Sequence, residues 1–91
     1  MSGDSGKNDV EKIVSMLDVL VQDNSIPRNV RLQLQEAQKK LRSNTDFGVA
    51  LSSAIYVLDD VSNDINLPMH SRTMVWNLIS ELELIKNETT N

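Results

Sequence analysis

Between residues 10 and 21 the apolar side chains Val10, Ile13, Val14, Leu17, Leu20 and Val21 recur at intervals that keep them on one side of an α-helix. That spacing predicts a first helix ending near Asp23. A second stripe, Val30, Leu34, Ala37 and Leu41, follows Pro27. Proline has no N–H to donate inside a helix, while its fixed φ suits a helix start, so Pro27 predicts the opening of helix two. Asn24 and Ser25 just before it are turn formers. Residues 43–48, SNTDFG, break the pattern with cap and turn residues. Phe47, Leu51, Ala54, Ile55, Leu58 and Val61 then form a third stripe that closes over residues 63–66. Pro68 opens a fourth helix with Val75, Leu78, Leu82 and Ile85 on its core side. Strand signals are sparse, because the only aromatics are Phe47, Tyr56 and Trp76.

The chain also repeats itself. A shift of 41 positions superposes Leu17 on Leu58, Asp18 on Asp59, Asp23 on Asp64, Ile26 on Leu67, Pro27 on Pro68, Arg31 on Arg72, Leu34 on Val75 and Leu41 on Leu82. A period near 40 with two helices per unit and a proline opening the second lies in the range of HEAT and armadillo repeats. The expected fold is therefore all-α: two tandem antiparallel hairpins, residues 9–42 and 46–86, arranged as a HEAT-like repeat pair or a four-helix bundle. Residues 1–8 are expected to form a disordered tail and residues 87–91 a frayed one.

The stretches SIPRNVR at residues 25–31 and LDDVSNDINLPMHSRTMVWNLISELELI at residues 58–85 set proline, arginine, tryptophan and asparagine in one register. In this the chain resembles a small archaeal group known as uncharacterised protein family number zero-one-four-seven, over about residues 10–85. The resemblance implies an all-helical fold and a cytoplasmic archaeal setting. It assigns no activity, so no functional residue comes with it.

Composition narrows the chemistry. A chain of 91 residues buries only roughly 60 to 65% of its unfolded surface, so association would add needed stability. The absence of cysteine excludes disulfides, thiolate metal sites and a cysteine nucleophile. No apolar run approaches the roughly 18 residues of a membrane span, and the start MSGDSGKND lacks the apolar core of a signal peptide. A cytoplasmic protein without a membrane partner is expected. His70 is the single histidine and reads as a solvated turn residue; Asp59, Asp60 and Asp64 lack the shaped loop that a hard cation needs and suit pairing with Arg31 or Arg72 instead. No serine lies in a nucleophile elbow and no glycine-rich phosphate loop exists. The expectation is a protein that is not an enzyme and holds no metal or cofactor.

Charge and its repetition point to surfaces. Helix two is basic inside a chain of net charge −4, and Arg28, Arg31, Gln35, Lys39 and Arg42, with Gln38, form a candidate nucleic-acid face. No aromatic stands on that helix to stack a base. In the second copy Arg28 becomes Met69, Gln35 becomes Trp76, Gln38 becomes Ile79 and Arg42 becomes Glu83, whereas Arg31 persists as Arg72. A wet face in one unit is apolar in the other, and tryptophan, methionine and arginine are enriched at interface centres. Met69, Arg72, Trp76, Ile79 and Glu83 are thus expected at a contact between subunits of a homo-oligomer. Arg31 and Arg72, each four residues past its proline, are expected to tie the turns to Asp23, Asp64 or neighbouring carbonyls. The expected function is a non-enzymatic self-associating interaction or scaffold protein; the alternative is an RNA- or ribosome-associated protein using helix two.

Overall fold

The computed structural model describes the backbone of residues 2–43 and 46–90 and the side chains of residues 9–42 and 46–88. Four helices follow one another: α1 (Ser2–Val21), α2 (Arg28–Ser43), α3 (Phe47–Ser62) and α4 (Met69–Thr90). No strand occurs among the described residues. The apolar stripes become one core, in which Val14, Leu17, Leu20, Val30, Leu34, Leu51, Leu58, Val61, Val75, Leu78 and Leu82 are buried from all four helices. Val21, Phe47 and Ile55 belong to the same stripes but are only partly covered, packing against the edge of that core. Helix limits are wider than the stripes. The helix α1 takes in residues 2–8 and α4 runs to Thr90, both through segments expected to be tails. Hydrophobic periodicity marks where a helix is packed, not where its backbone hydrogen bonds stop. Residues 2–8 include no proline to block the helix, and among the described side chains the first that is buried is Val10.

The two hairpin turns share most of their hydrogen bonds. Residues 22–27 join α1 to α2 and residues 63–68 join α3 to α4. Asp23 N–H donates to the Leu20 carbonyl at 3.1 Å, and Asp64 N–H to Val61 at 3.0 Å. Ile26 N–H donates to Asp23 at 3.1 Å, and Leu67 N–H to Asp64 at 3.2 Å. Each aspartate then folds its carboxylate back onto the N–H two residues on, Asp23 to Ser25 at 2.9 Å and Asp64 to Asn66 at 2.8 Å, the local bond that favours aspartate in turns. Pro27 and Pro68 stand one residue before their helices and accept from Arg31 N–H at 3.0 Å and Arg72 N–H at 2.9 Å. The connection between α2 and α3 ends on Asp46, whose extended backbone and carboxylate cap α3 by accepting from Val49 N–H at 3.1 Å.

Packing follows the chain around a ring. The most extensive seam joins α2 to α3, followed by α3 with α4 and α1 with α2, and the slightest closes α1 on α4. A repeat stack would set α1 beside α3 and α2 beside α4, and neither pair makes a close backbone approach among the described residues. Of the two expected arrangements, the bundle is the one adopted. Its dimensions, 38 × 19 × 18 Å, fit four helices of which the longest, at 22 residues, spans about 33 Å. Both turns therefore lie at one end of the bundle, where His70 Nε2 stands 3.8 Å from Asp23 Oδ2.

Candidate functional site

The outward face of α4 begins with the residues its core leaves over. Ser71, Val75, Leu78, Leu82 and Ile85 are buried, so positions about half a turn away face solvent. Those positions carry Met69, Trp76 and Leu84, which remain 64%, 50% and 59% exposed. An apolar surface of this kind on a small protein marks a place of contact when its members are contiguous on one helix. Glu83 is also exposed on this side, whereas Arg72 and Ile79 are half-buried at its shoulder. Ile79 packs against the core, so it belongs to the fold as well as to the surface.

Arg72 is held in place by its turn. Its Nη2 donates to the Asp64 carbonyl at 2.7 Å and to the Leu67 carbonyl at 3.2 Å, and its buried Nε finds no partner among the described residues. Arg31 does the corresponding work in the first hairpin, where its Nε donates to the Ile26 carbonyl at 3.0 Å. The bonds reach backbone oxygens; pairing of these guanidiniums with the carboxylates of Asp59, Asp60 or Asp64 is not found among the described residues. Asp60 Oδ2 instead accepts from Gln33 Nε2 at 3.0 Å, linking α2 to α3. His70 is exposed, with Asp23 beside it. Asp23 is itself held below its ordinary carboxyl pKa of 3.8, chiefly by the Ser25 hydroxyl at 2.7 Å, then by the Ser25 N–H, with partial desolvation opposing and His70 adding a smaller pull.

The basic face of α2 divides. Arg28, Gln35, Lys39 and Arg42 are exposed, but Arg31 is committed to its turn and Gln38 Nε2 donates to the Val14 carbonyl of α1 at 3.0 Å. An open groove of about 500 Å³ collects Gln35, Gln38, Lys39 and Arg42. Arg28 lies about 21 Å along the helix from Arg42, near the turns, so no single groove holds the whole set.

Two exposed apolar residues of this region, Ile65 and Leu84, escaped the sequence reading. Ile65, at the tip of the second turn, is 90% exposed. Its equivalent under the 41-residue shift is Asn24, so the same comparison that singles out Trp76 contains it. Ile65, Met69 and Trp76 are thus three exposed apolar residues replacing the exposed Asn24, Arg28 and Gln35. Leu84 lay outside the reading for another reason: its equivalent, Ser43, falls where the first hairpin ends.

Comparison with known proteins adds kinship to this geometry. The sequence pattern of the uncharacterised protein family UPF0147 matches residues 1–85. A UPF0147 protein of Archaeoglobus fulgidus is 45% identical over 82 residues, covering 90% of this chain and 94% of the relative. One from Methanocaldococcus jannaschii is 39% identical over 75 residues, 81% of either chain. Among solved structures, a protein from uncharacterised family UPF0147 of Thermoplasma acidophilum superposes with a TM-score of 0.81 at 34% identity, over 87% of this chain and 94% of the other. The unknown function protein MMP1188 does so with a TM-score of 0.80 at 38% identity, over 85% and 89%.

Proposed function

The chain belongs to the uncharacterised protein family UPF0147, and from that premise we propose that it is a non-enzymatic, self-associating helical interaction protein of the archaeal cytoplasm, joined to a second copy through the outward face of α4. The observation that carries this reading is the change of character between equivalent positions: Asn24, Arg28 and Gln35 are polar and exposed, while Ile65, Met69 and Trp76 are apolar and exposed. Both sets sit on the same scaffold of turn and helix. The fold therefore gives no reason for the difference, and a covering partner does. A small core strengthens the case, since a domain of this size gains from association. No helix among the described residues is long and apolar enough to cross a membrane.

The test is the mass in solution. Trp76→Glu should convert the dimer to a monomer that keeps its helical circular dichroism, a loss on the order of 2 kcal/mol or more for a central tryptophan. Light scattering that finds the unaltered protein monomeric at high concentration overturns the proposal. The groove on α2 supports the second reading, an RNA- or ribosome-associated role, less well. Gln38 already donates to the Val14 carbonyl of α1, and α2 carries no aromatic side chain on which a base could stack.

A further inference from the structure

Along α4 the five residues Met69, Arg72, Trp76, Ile79 and Glu83 are separated by three, four, three and four positions. That alternation keeps the five along one line of the helix, as at the contact line between two paired helices. The seam also has an internal symmetry. About the midpoint between Asn77 and Leu78, Arg72 is the mirror position of Glu83 and Trp76 that of Ile79. Given that copies meet on α4, as proposed above, we infer that two chains pair with their α4 helices antiparallel, in a register that sets Arg72 against the partner's Glu83 and Trp76 against the partner's Ile79. The two-fold axis then passes between residues 77 and 78. Two apolar pairs lie at the centre and two opposite-charge pairs close the ends.

Charge selects this direction. A parallel pairing would place Arg72 beside the partner's Arg72 and Glu83 beside the partner's Glu83, like charges at both ends of the seam. Antiparallel pairing also sets the helix dipoles against one another favourably. Arg72 donates to the Asp64 and Leu67 carbonyls through Nη2, so the pairing draws on the remaining donors of its guanidinium. The corresponding seam of the first hairpin is Arg28, Arg31, Gln35, Gln38 and Arg42. Three arginines and no apolar residue make that helix repel its own copy, which confines the pairing to α4.

The chain lacks cysteine, so a single introduced thiol carries a spin label uniquely. In the inferred register, labels on Glu88→Cys stand about 31 Å apart along the paired helices and labels on Thr73→Cys about 14 Å apart, from the helical rise. A parallel pair would give short and nearly equal distances at both sites. A protein that dimerises with such distances overturns the register while leaving self-association standing; one that stays monomeric overturns both. Glu83→Lys is the second arm, because Glu83 is exposed and outside the core. It should weaken dimerisation about tenfold at low salt, by an amount that shrinks as salt is added. Unchanged dimerisation in this variant would remove the Arg72 pairing and with it the register.

Discussion

Ser71 occupies a core position that the first hairpin fills with Val30, and both side chains are fully buried. Its hydroxyl has no hydrogen-bond partner among the described residues. A helical serine would ordinarily bond back to the carbonyl four residues earlier, here Leu67; that oxygen accepts from Arg72, and no bond from the Ser71 hydroxyl reaches it. An unmet buried hydroxyl costs more than the methylene-sized space it fills. Ser71→Ala should therefore raise unfolding stability by about 1 kcal/mol, read from the urea midpoint, and an unchanged or lower midpoint would mean that the hydroxyl is satisfied in solution. At this scale the sequence was legible in part. The mismatch of Ser71 with Val30 is visible under the 41-residue shift, and so is the recurrence of Arg31 and Arg72. Which oxygen each arginine reaches was not, because carboxylates and carbonyls compete for a guanidinium and only the folded turn decides between them.

Among the elements, the turns were the most legible, since proline fixes both the place and the direction of a helix start. The stripes predicted most of the core; they fell short at Ile55, which is only partly covered, at the buried Ala50, Ser62 and Ser71, and at helix ends, where polar residues continue a backbone pattern that no apolar period records. The two turns differ in one respect that can be measured. Asp23 accepts from both the N–H and the hydroxyl of Ser25, whereas in the second turn Asp64 accepts from the N–H of Asn66. The depressed pKa of Asp23 means that its contribution to stability is complete above its ordinary value of 3.8 and is lost as pH falls through the lower folded value. Ser25→Ala leaves only the N–H and should destabilise the protein at neutral pH. The gap from the parent should then close in acid, once Asp23 is protonated in both states. Urea titrations of the pair at a series of pH values from neutral into acid check this, and a gap that stays constant with pH would separate the effect of Ser25 from the charge of Asp23.

For the whole molecule, the period of 41 fixed each hairpin but could not choose between stacking and bundling. Both arrangements bury the same stripes, and the difference lies in which helices become neighbours. What the ring leaves open is the seam between α1 and α4, a groove of about 420 Å³ whose lining includes Asp9, Lys12, Met16, Asn77, Ser80 and Glu81. Polar side chains there limit how tightly the ring closes. The exposed surface of α4 was legible only through the comparison of copies, because a lone tryptophan in an amphipathic helix is equally at home in a core. The ring has a topological consequence. As antiparallel neighbours, α1 starts and α4 finishes at the end of the bundle where α2 passes to α3, so the molecule can be cut and rejoined without moving any helix. A permuted chain running from residue 46 through α4, then by a short glycine-rich bridge into α1 and on to residue 42, presents the same two hairpins in the opposite order. It should melt cooperatively with native helical content, while a broad, uncooperative melt would show that the direct passage from α2 to α3 is needed to bring the hairpins together. With the cooperative melt, nature's order of the two halves is a convention of synthesis, and the order of assembly a variable open to rearrangement.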